Sequence, residues 1–404
     1  MARTVTYVQF ALALALFMFA LVQFELWNLK SSNVGQASVG RKLKAQIRLP
    51  DSKLTPEPNK LKALEKEAPI AAVVVVACNR PDYLERTIQG ILKFHTSSSK
   101  FPLFISQDGT NAEVKAVAQK YAHFEHFQHI ESQPPQMEAG HPQSWLSYYR
   151  IADHYKYVFT RIFEERKFQR IIILEDDMEV AVDFFDYFEA LAPILDRDES
   201  LYAVSSWNDN GQKQFVHDPE AVYRSDFFPG LGWMMPRRMW AELGPKWPKA
   251  FWDDWMRLKD VRNGRQTIFP EICRNYNFGE HGSSLGQYFE QYLRPIRLNT
   301  EPVDWSQKDL TYLERDRYPA FFERLTSAAT VIPADRAGAA AAAEAGDVLV
   351  EYDGESEPAF KDVARHFGIF EDWKDGVPRT AFQGAVTFRL GGPRRVIIAP
   401  RKSS

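Results

Sequence analysis

Four aliphatic residues, Ile171-Ile172-Ile173-Leu174, run directly into three carboxylates, Glu175-Asp176-Asp177. The apolar run is too short for a helix and rich in β-branched side chains, so it reads as a strand buried on both faces of a parallel sheet. In open α/β sheets ligands bind beyond the carboxyl ends of the strands, which would put the three acids in a cleft. Like charges crowd unfavourably unless something positive sits among them, and hard oxygen ligands suit Mg²⁺ or Mn²⁺ better than a soft metal. The stretch therefore predicts a divalent-cation site holding a phosphate-bearing substrate. A solvated acidic loop after a strand is the competing reading, because short acidic motifs recur by chance.

Two further strand ends support the cleft. Ile70 and Val73 to Val76 form a second buried-strand run that stops at Asn79-Arg80-Pro81. Proline suits the first turn of a helix, and Leu84, Ile88, Ile91 and Leu92 follow at helical spacing. Arg80 at that exit can reach a phosphate or form a surface salt bridge. A third strand, Phe101 to Ser106, closes with Gln107-Asp108-Gly109. Strand ends carrying Arg80, Asp108 and the acidic cluster, alternating with helices, describe a nucleotide-binding α/β layer. Neither a G-x-G-x-x-G fingerprint nor a P-loop signature is present, which excludes the usual dinucleotide and P-loop readings. Residues 144–163 form a helical stripe (Trp145, Tyr148, Tyr149, Ala152, Tyr155, Phe159, Ile162) that reads as mostly core, with His154 beside it. Such a histidine is structural more often than functional. Asp183 is placed to cap the helix that follows.

Residues 203–257 are the most aromatic part of the chain. Rings interleaved with polar groups and glycines suit a pocket that stacks on sugars, whose faces are apolar and whose rims are hydroxyls; a tryptophan-rich core is the alternative. Asp253 and Asp254 stand between Trp252 and Trp255. A carboxylate wedged there risks desolvation, which makes it a better general base. If the segment is helical, Arg257 four residues on would meet Asp253 and orient it. Residues 278–287 carry three glycines and two serines, the composition of a loop that closes over substrate or of a plain surface turn.

The amino terminus sets compartment and not chemistry. Val5 to Val22 contains no charged residue and is near the lower limit for crossing a bilayer. Bulky Phe19, Leu21, Val22 and Phe24 occupy the place of a signal-cleavage site, so residues 5–28 read as an uncleaved transmembrane signal anchor after a cytosolic tail, 1–4. Lys30, Arg41, Lys42 and Lys44 follow the span, so charge does not favour a cytosolic amino terminus. Residues 29–68, broken by glycine, serine and proline, read as a flexible stem. The whole chain of 404 residues has an apolar share of 45%, enough for most of it to fold, and its 50 basic residues against 53 acidic ones give no sign of nucleic acid as a partner. We expect a catalytic domain over 69–315 and a small C-terminal α+β domain over 316–404 containing an alanine-rich linker, 334–346. In that second domain 347–352, 381–390 and 395–399 read as strands and 359–367 as a helix, with no evident chemistry. Cys78 and Cys273 allow one disulfide at most.

Four motifs identify a family. Leu-Glu-Asp-Asp-Met-Glu-Val-Ala-x-Asp-Phe-Phe (174–185), Trp-Asn-Asp-Asn-Gly (207–211), Asp-Phe-Phe-Pro-Gly-Leu-Gly-Trp (226–233) and Pro-Lys-Trp-Pro-Lys-Ala-Phe-Trp-Asp-Asp-Trp-Met-Arg (245–257) closely resemble the N-acetylglucosaminyltransferase I family. The likeness extends from about Pro69 to residues 377–388. It implies a GT-A glycosyltransferase fold, a Rossmann-like mixed α/β sheet flanked by helices. It further implies a single-pass type II Golgi membrane protein with a luminal catalytic domain, UDP-GlcNAc as donor, Mn²⁺ as cofactor and a high-mannose N-glycan as acceptor. By motif, Asp177 resembles the metal ligand, Asp176 the ribose contact and Glu175 a member of the same donor site. Arg80, Asp108 and His154 match donor-binding positions, Ser284 a donor contact on the closing loop, and Asp253 the catalytic base. The family has a cysteine where this chain has Gly109, so the resemblance implies that Cys78 lacks the family's disulfide partner. Two other readings remain: a β-1,2-GlcNAc transferase acting on O-linked mannose, whose relatives carry an extra domain that about 40 stem residues cannot hold, and a non-catalytic carbohydrate-binding membrane protein.

Overall fold

The computed structural model describes residues 68–131, 133–282, 286, 288–334 and 346–401, all within the compact unit Lys66–Ser404. The expected anchor, most of the stem, most of the alanine-rich linker and Ser284 lie outside the described residues.

The chain starts with β1 (Ala72–Ala77), α1 (Pro81–Phe94), β2 (Leu103–Asp108), α2 (Ala112–Lys120) and β3 (Phe124–His129). After α3 (Leu146–Phe159) come β4 (Arg170–Glu175), β5 (Met178–Val180), α4 (Phe184–Arg197), β6 (Leu201–Ser205), β7 (Val222–Ser225) and β8 (Trp233–Pro236). Then follow α5 (Arg237–Leu243), α6 (Trp252–Met256), β9 (Gln266–Pro270) and β10 (Asn275–Asn277). Eight strands make one sheet in the order β3-β2-β1-β4-β8-β6-β9-β7. The half from β3 to β4 is parallel, whereas β8 runs antiparallel to β4 and β6. The mixed α/β sheet implied by the family resemblance is therefore the one observed, and β4, read as a strand within a parallel sheet, is parallel to its neighbour on the β1 side only. Periodicity reports burial on both faces and not the direction of the neighbouring strand.

Alternation along the strands feeds two cores. Val73, Val75, Leu103, Ile105, Ile172 and Leu174 meet Leu84, Ile88 and Ile91 of α1 and the aromatic face of α4. Ala72, Val74, Val76, Phe104, Ile171 and Ile173 meet Ala152, Tyr155 and Phe159 of α3 and Met239, Trp240 and Trp252 of α5 and α6. Period two places successive side chains on opposite faces, so each strand serves both layers. Chain order moves from β1 outward to β2 and β3 and then back to β4 on the other side, which opens a crevice between the carboxyl ends of β1 and β4. Val76 lies opposite Glu175 in that register, so the loops after the two strands face each other.

The later residues add α7 (Tyr318–Ser327), β11 (Thr330–Ile332), β12 (Val348–Tyr352), α8 (Glu357–Phe367), β13 (Val386–Arg389) and β14 (Arg395–Pro400). Their four strands form a separate sheet in the order β11-β12-β14-β13. The expected strand at 381–390 starts only at Val386, because Phe382 and Ala385 close a tight turn ahead of it. A buried pair, Arg389 Nε with Glu271 Oε2 at 2.9 Å, joins this sheet to the end of β9.

Asp183 is the residue before α4 but makes no side-chain cap. Its carboxylate instead accepts from Arg274 (Nη2 3.1 Å, Nε 3.2 Å), Trp305 Nε1 (2.8 Å) and Asn299 Nδ2 (2.9 Å). The sequence signal for a cap was real, but a buried guanidinium competed for the same oxygens and won. Asp183→Ala leaves Arg274 as an uncompensated buried charge and should cost about 3–5 kcal/mol of unfolding free energy, measured by urea denaturation followed through tryptophan fluorescence.

Candidate active site

The turn after β4 is held on three sides. Thr87 Oγ1 of α1 donates to the Asp176 carbonyl (2.8 Å) and accepts from Met178 N (3.1 Å). Phe278 N donates to the Asp177 carbonyl (2.9 Å), and Asn277 Nδ2 donates to Asp177 Oδ1 (3.0 Å). A Cβ at Gly279 would collide with the Asp177 carboxylate, so only glycine lets the backbone approach there.

Arg80, the residue before α1, reaches across the crevice. Its guanidinium pairs with Asp176, lies 2.9 Å from Asp177 Oδ2 and donates to the His281 carbonyl at 2.8 Å. Tyr155 of α3 donates to Glu175 Oε1 (3.0 Å). Asp176 and Asp177 are 3% and 5% exposed, so two buried carboxylates share one guanidinium, with half-buried Glu175 beside them. Burial, then Asp177's charge, pushes the Glu175 carboxyl up to about 8. Burial likewise raises Asp176 to about 6 and raises Asp177, against the pull of Arg80. Burial opposes the charge on Arg80, but Asp177 and then Asp176 outweigh it and hold the guanidinium firmly charged.

The solvated acidic loop is thus not what forms; both aspartates are buried. Their hard oxygens and excess negative charge fit a divalent cation. Among the described residues no three His, Cys, Asp or Glu side chains converge to enclose an ion. A cation here would take oxygen from the Asp177 turn and complete its shell from ligand and water.

Asp108 ends β2 and accepts from His129 Nδ1 (3.1 Å), while His129 Nε2 lies 3.6 Å from Asp153. Burial lowers the His129 imidazole, but its bond to Asp108 and the charges of Asp108, Asp153 and Glu131 outweigh that and raise it. His129 stacks parallel on His154 at 5.6 Å. His154 is buried, bonded to Ser106 Oγ at 2.7 Å, and burial pushes it down to about 4. Cys78 and Cys273 are both free, and partial desolvation and then the charge of Asp108 push the Cys78 thiol up to about 11.

Asp253 lies on α6, on the other side of Tyr155. Trp252 beside it is buried and stacks on Tyr155 at 4.3 Å, so one tyrosine links Glu175 to the α6 turn. Arg257 Nη1 bonds Asp253 Oδ2 (3.0 Å) and Asp254 Oδ1 (3.1 Å), as the four-residue spacing predicts. Lys374 Nζ takes Asp254 Oδ2 at 3.0 Å. Two cations therefore claim Asp254 and one claims Asp253.

Three expectations are corrected here. Asp253 is not wedged between tryptophans: its side chain is 42% exposed, because Trp252 turns into the core and Trp255 packs on Trp247. Nor do most rings of residues 203–257 line a sugar pocket, since Trp207, Trp233, Trp247 and Trp252 are buried. Conversely Trp145, read as core, is exposed. The structure brings Arg80, Glu175, Asp176 and Asp177 into one cluster, with Asp108 and His154 in a second group along the neighbouring strand end. Sequence reasoning missed His129, Asn277, Thr87 and Lys374, whose partners lie 21 to 120 positions away. A cavity of about 640 Å³ lies between Arg224, Arg265, Arg315 and Gln383 and shares no residue with the acidic crevice.

The GNT-I family model matches residues 18–404. The chain belongs to the GNT-I family. It is 55% identical over 333 residues to the alpha-1,3-mannosyl-glycoprotein 2-beta-N-acetylglucosaminyltransferase of Arabidopsis thaliana, a match spanning 82% of this chain and 74% of that protein. Solved structures with some likeness include a Pyrobaculum calidifontis mannosyltransferase with GDP-Man and Mn²⁺ (14% identity, TM-score 0.34, 61% of this chain and 64% of that one). Another is S. aureus TarS with UDP-GlcNAc (10% identity, TM-score 0.34, 62% of this chain and 64% of that one). Both are too remote to bear on function.

In this GNT-I chain the cost of a buried neutral His154 has a definite sign. The unfolded imidazole protonates near 6.5 and the folded one only near 4, so its contribution to stability is complete above pH 6.5 and lost as pH falls towards 4. His154→Gln should therefore lose less stability between pH 7 and pH 4.5 than the parent, by on the order of 2 kcal/mol, measured by urea denaturation at both pH values.

Proposed function

We propose that this chain is an inverting β-1,2-N-acetylglucosaminyltransferase that moves GlcNAc from UDP-GlcNAc to the 2-hydroxyl of the α-1,3-linked mannose of a high-mannose N-glycan. The observation that carries the reading is the pairing, across Tyr155, of a buried acidic cluster at the sheet's switch point with an exposed carboxylate on α6. Family membership and the Arabidopsis relative's activity supply the donor and acceptor.

Arg80, Asp108, His154 and Glu175 would form the donor site with Ser284, Asp176 would hold the ribose, and Asp177 would be the metal ligand. Mn²⁺, when bound, supplies positive charge that offsets the diphosphate and eases departure of UDP. Asp253 would accept the proton of the mannose 2-hydroxyl as that oxygen forms a bond to the anomeric carbon. The bond from that carbon to the diphosphate oxygen breaks on the opposite face, and its electron pair leaves with UDP. A single in-line displacement converts an α-linked donor to a β product with no covalent enzyme intermediate. Arg257 would orient the Asp253 carboxylate, leaving its exposed side open to the acceptor. The uncharged run from Val5 to Val22 supports a single membrane span; its type II orientation, Golgi location and luminal catalytic region rest on the family resemblance and not on the flanking charges.

Incubated with UDP-GlcNAc and a five-mannose N-glycan, the purified protein should add one β-1,2-linked GlcNAc with Mn²⁺ and none with chelator, read by mass spectrometry and linkage analysis. Transfer only to O-linked mannose peptides would replace the acceptor, and donor binding without transfer to either would make this a binding protein. Asp253→Asn should keep UDP-GlcNAc affinity and lose transfer by about 10²-fold or more; a loss of donor affinity instead would assign Asp253 to the donor site.

A further inference from the structure

Beside Asp253 the chain presents an aromatic surface that the displacement itself does not use. Trp145 closes a short turn, Gln143–Trp145, just ahead of α3, and is one of the few large apolar side chains left exposed, at 37%. Its ring meets that of Phe251 edge-on at 5.1 Å, and Tyr148 stacks on the other ring at 4.7 Å. His141 lies 4.8 Å from Trp145 and is fixed by a 2.7 Å bond to the Tyr149 hydroxyl. Gln143 and Ser144, the two residues before Trp145, are exposed.

Phe251 is also strained. It adopts left-handed backbone angles, φ 51° and ψ 46°, a region disfavoured for any bulky L-residue. The conformation has a consequence: Trp252 enters the core against Tyr155 and Trp247, while Phe251 stays at the surface between Trp145 and Tyr148. The Phe251 carbonyl accepts from Trp255 N (2.9 Å), so the same residue starts the turn that carries Asp253. Strain of this kind persists only where its surroundings impose it, and it concentrates at ligand sites.

We propose that Trp145, Tyr148 and Phe251 form a stacking subsite for a second pyranose ring of the acceptor glycan, next to the mannose attacked at Asp253. The inference rests on the transfer reading above, and three features support this occupant. The rings are uncharged and flat, matching the apolar face of a neutral sugar and not a phosphate or a peptide carboxylate. Polar His141 lies against Trp145, and exposed Gln143 and Ser144 immediately precede it, groups that suit a sugar's hydroxyl rim. Phe251 stands two residues along the chain from the candidate base, and its carbonyl anchors the turn that carries it. An occupant of both would be an oligosaccharide and not a lone mannoside.

The test uses the full chain in detergent, with initial rates measured at saturating UDP-GlcNAc while the five-mannose glycan is varied. Trp145→Ala and Trp145→Leu should each raise the KM for the glycan about tenfold, the loss of one ring-stacking contact, with kcat and the donor KM within about twofold of the parent. Trp145→Phe should restore most of the affinity, and a simple methyl mannoside should show no difference between parent and variants. An unchanged glycan KM, a fall in kcat alone or a raised donor KM overturns the subsite. Saturation-transfer NMR with the glycan and UDP separates the two readings. Glycan binding by the parent that Trp145→Ala abolishes, without transfer by either, keeps the subsite and sinks the transfer reading; no binding by the parent sinks the subsite.

Discussion

Two buried carboxylates paired with one guanidinium, and a third, half-buried carboxylate beside them, form the interaction on which the site depends. Removing charged groups from water is costly unless they are paired and hydrogen-bonded, and here the pairing is incomplete by charge. Arg80 answers Asp176 and Asp177, Asn277 supports one oxygen of Asp177, and Tyr155 answers Glu175. The raised carboxyls record what is still missing, and positive charge brought by a ligand complex would supply it. A site left electrostatically unsatisfied in this way is adapted to bind, because the ligand repays a desolvation already incurred on folding.

Such a cluster needs a rigid frame, which the aromatic core provides. Trp252 stacks on Tyr155 and on Trp247 and Trp233, so α6 is pinned to the layer beneath the sheet. Asp253 is consequently exposed but not loose: Arg257, itself buried and bonded to the Phe228 carbonyl (3.0 Å), grips one of its oxygens. The tryptophans of this segment act on the chemistry through position, by fixing where a half-exposed carboxylate stands relative to a buried acidic cluster. Loop 278–282 is held in a similar way, with Phe278 against Tyr83 and under the Arg86 guanidinium, so its first residues are tied to α1.

Much of the fold was legible in the chain. Aliphatic runs ending at Ala77, Asp108 and Glu175 are strands, Pro81 does begin a helix, and the helix expected at 359–367 is α8, which starts two residues earlier. What misled were residues with two possible employers. Asp183 had the sequence of an N-cap and became the partner of Arg274, and Trp145 lay on the apolar stripe of α3 yet falls in the turn before it, where His141 and Phe251 cover it only in part.

The sequence by itself determined which segments form strands and helices, that acids stand at a strand's carboxyl end, and, through four long motifs, the family. Those properties depend on neighbours a few positions apart, where period, branching and short-range spacing act. Only the tertiary structure decided that the sheet is mixed, that Asp176 and Asp177 are buried against Arg80 nearly a hundred positions away, and that His129 holds Asp108. It also decided that Asp253 stands exposed while Trp252 does not. Each of these is a matter of desolvation or of charge meeting charge, and both depend on what the folded chain places around a group, which no local pattern of residues records.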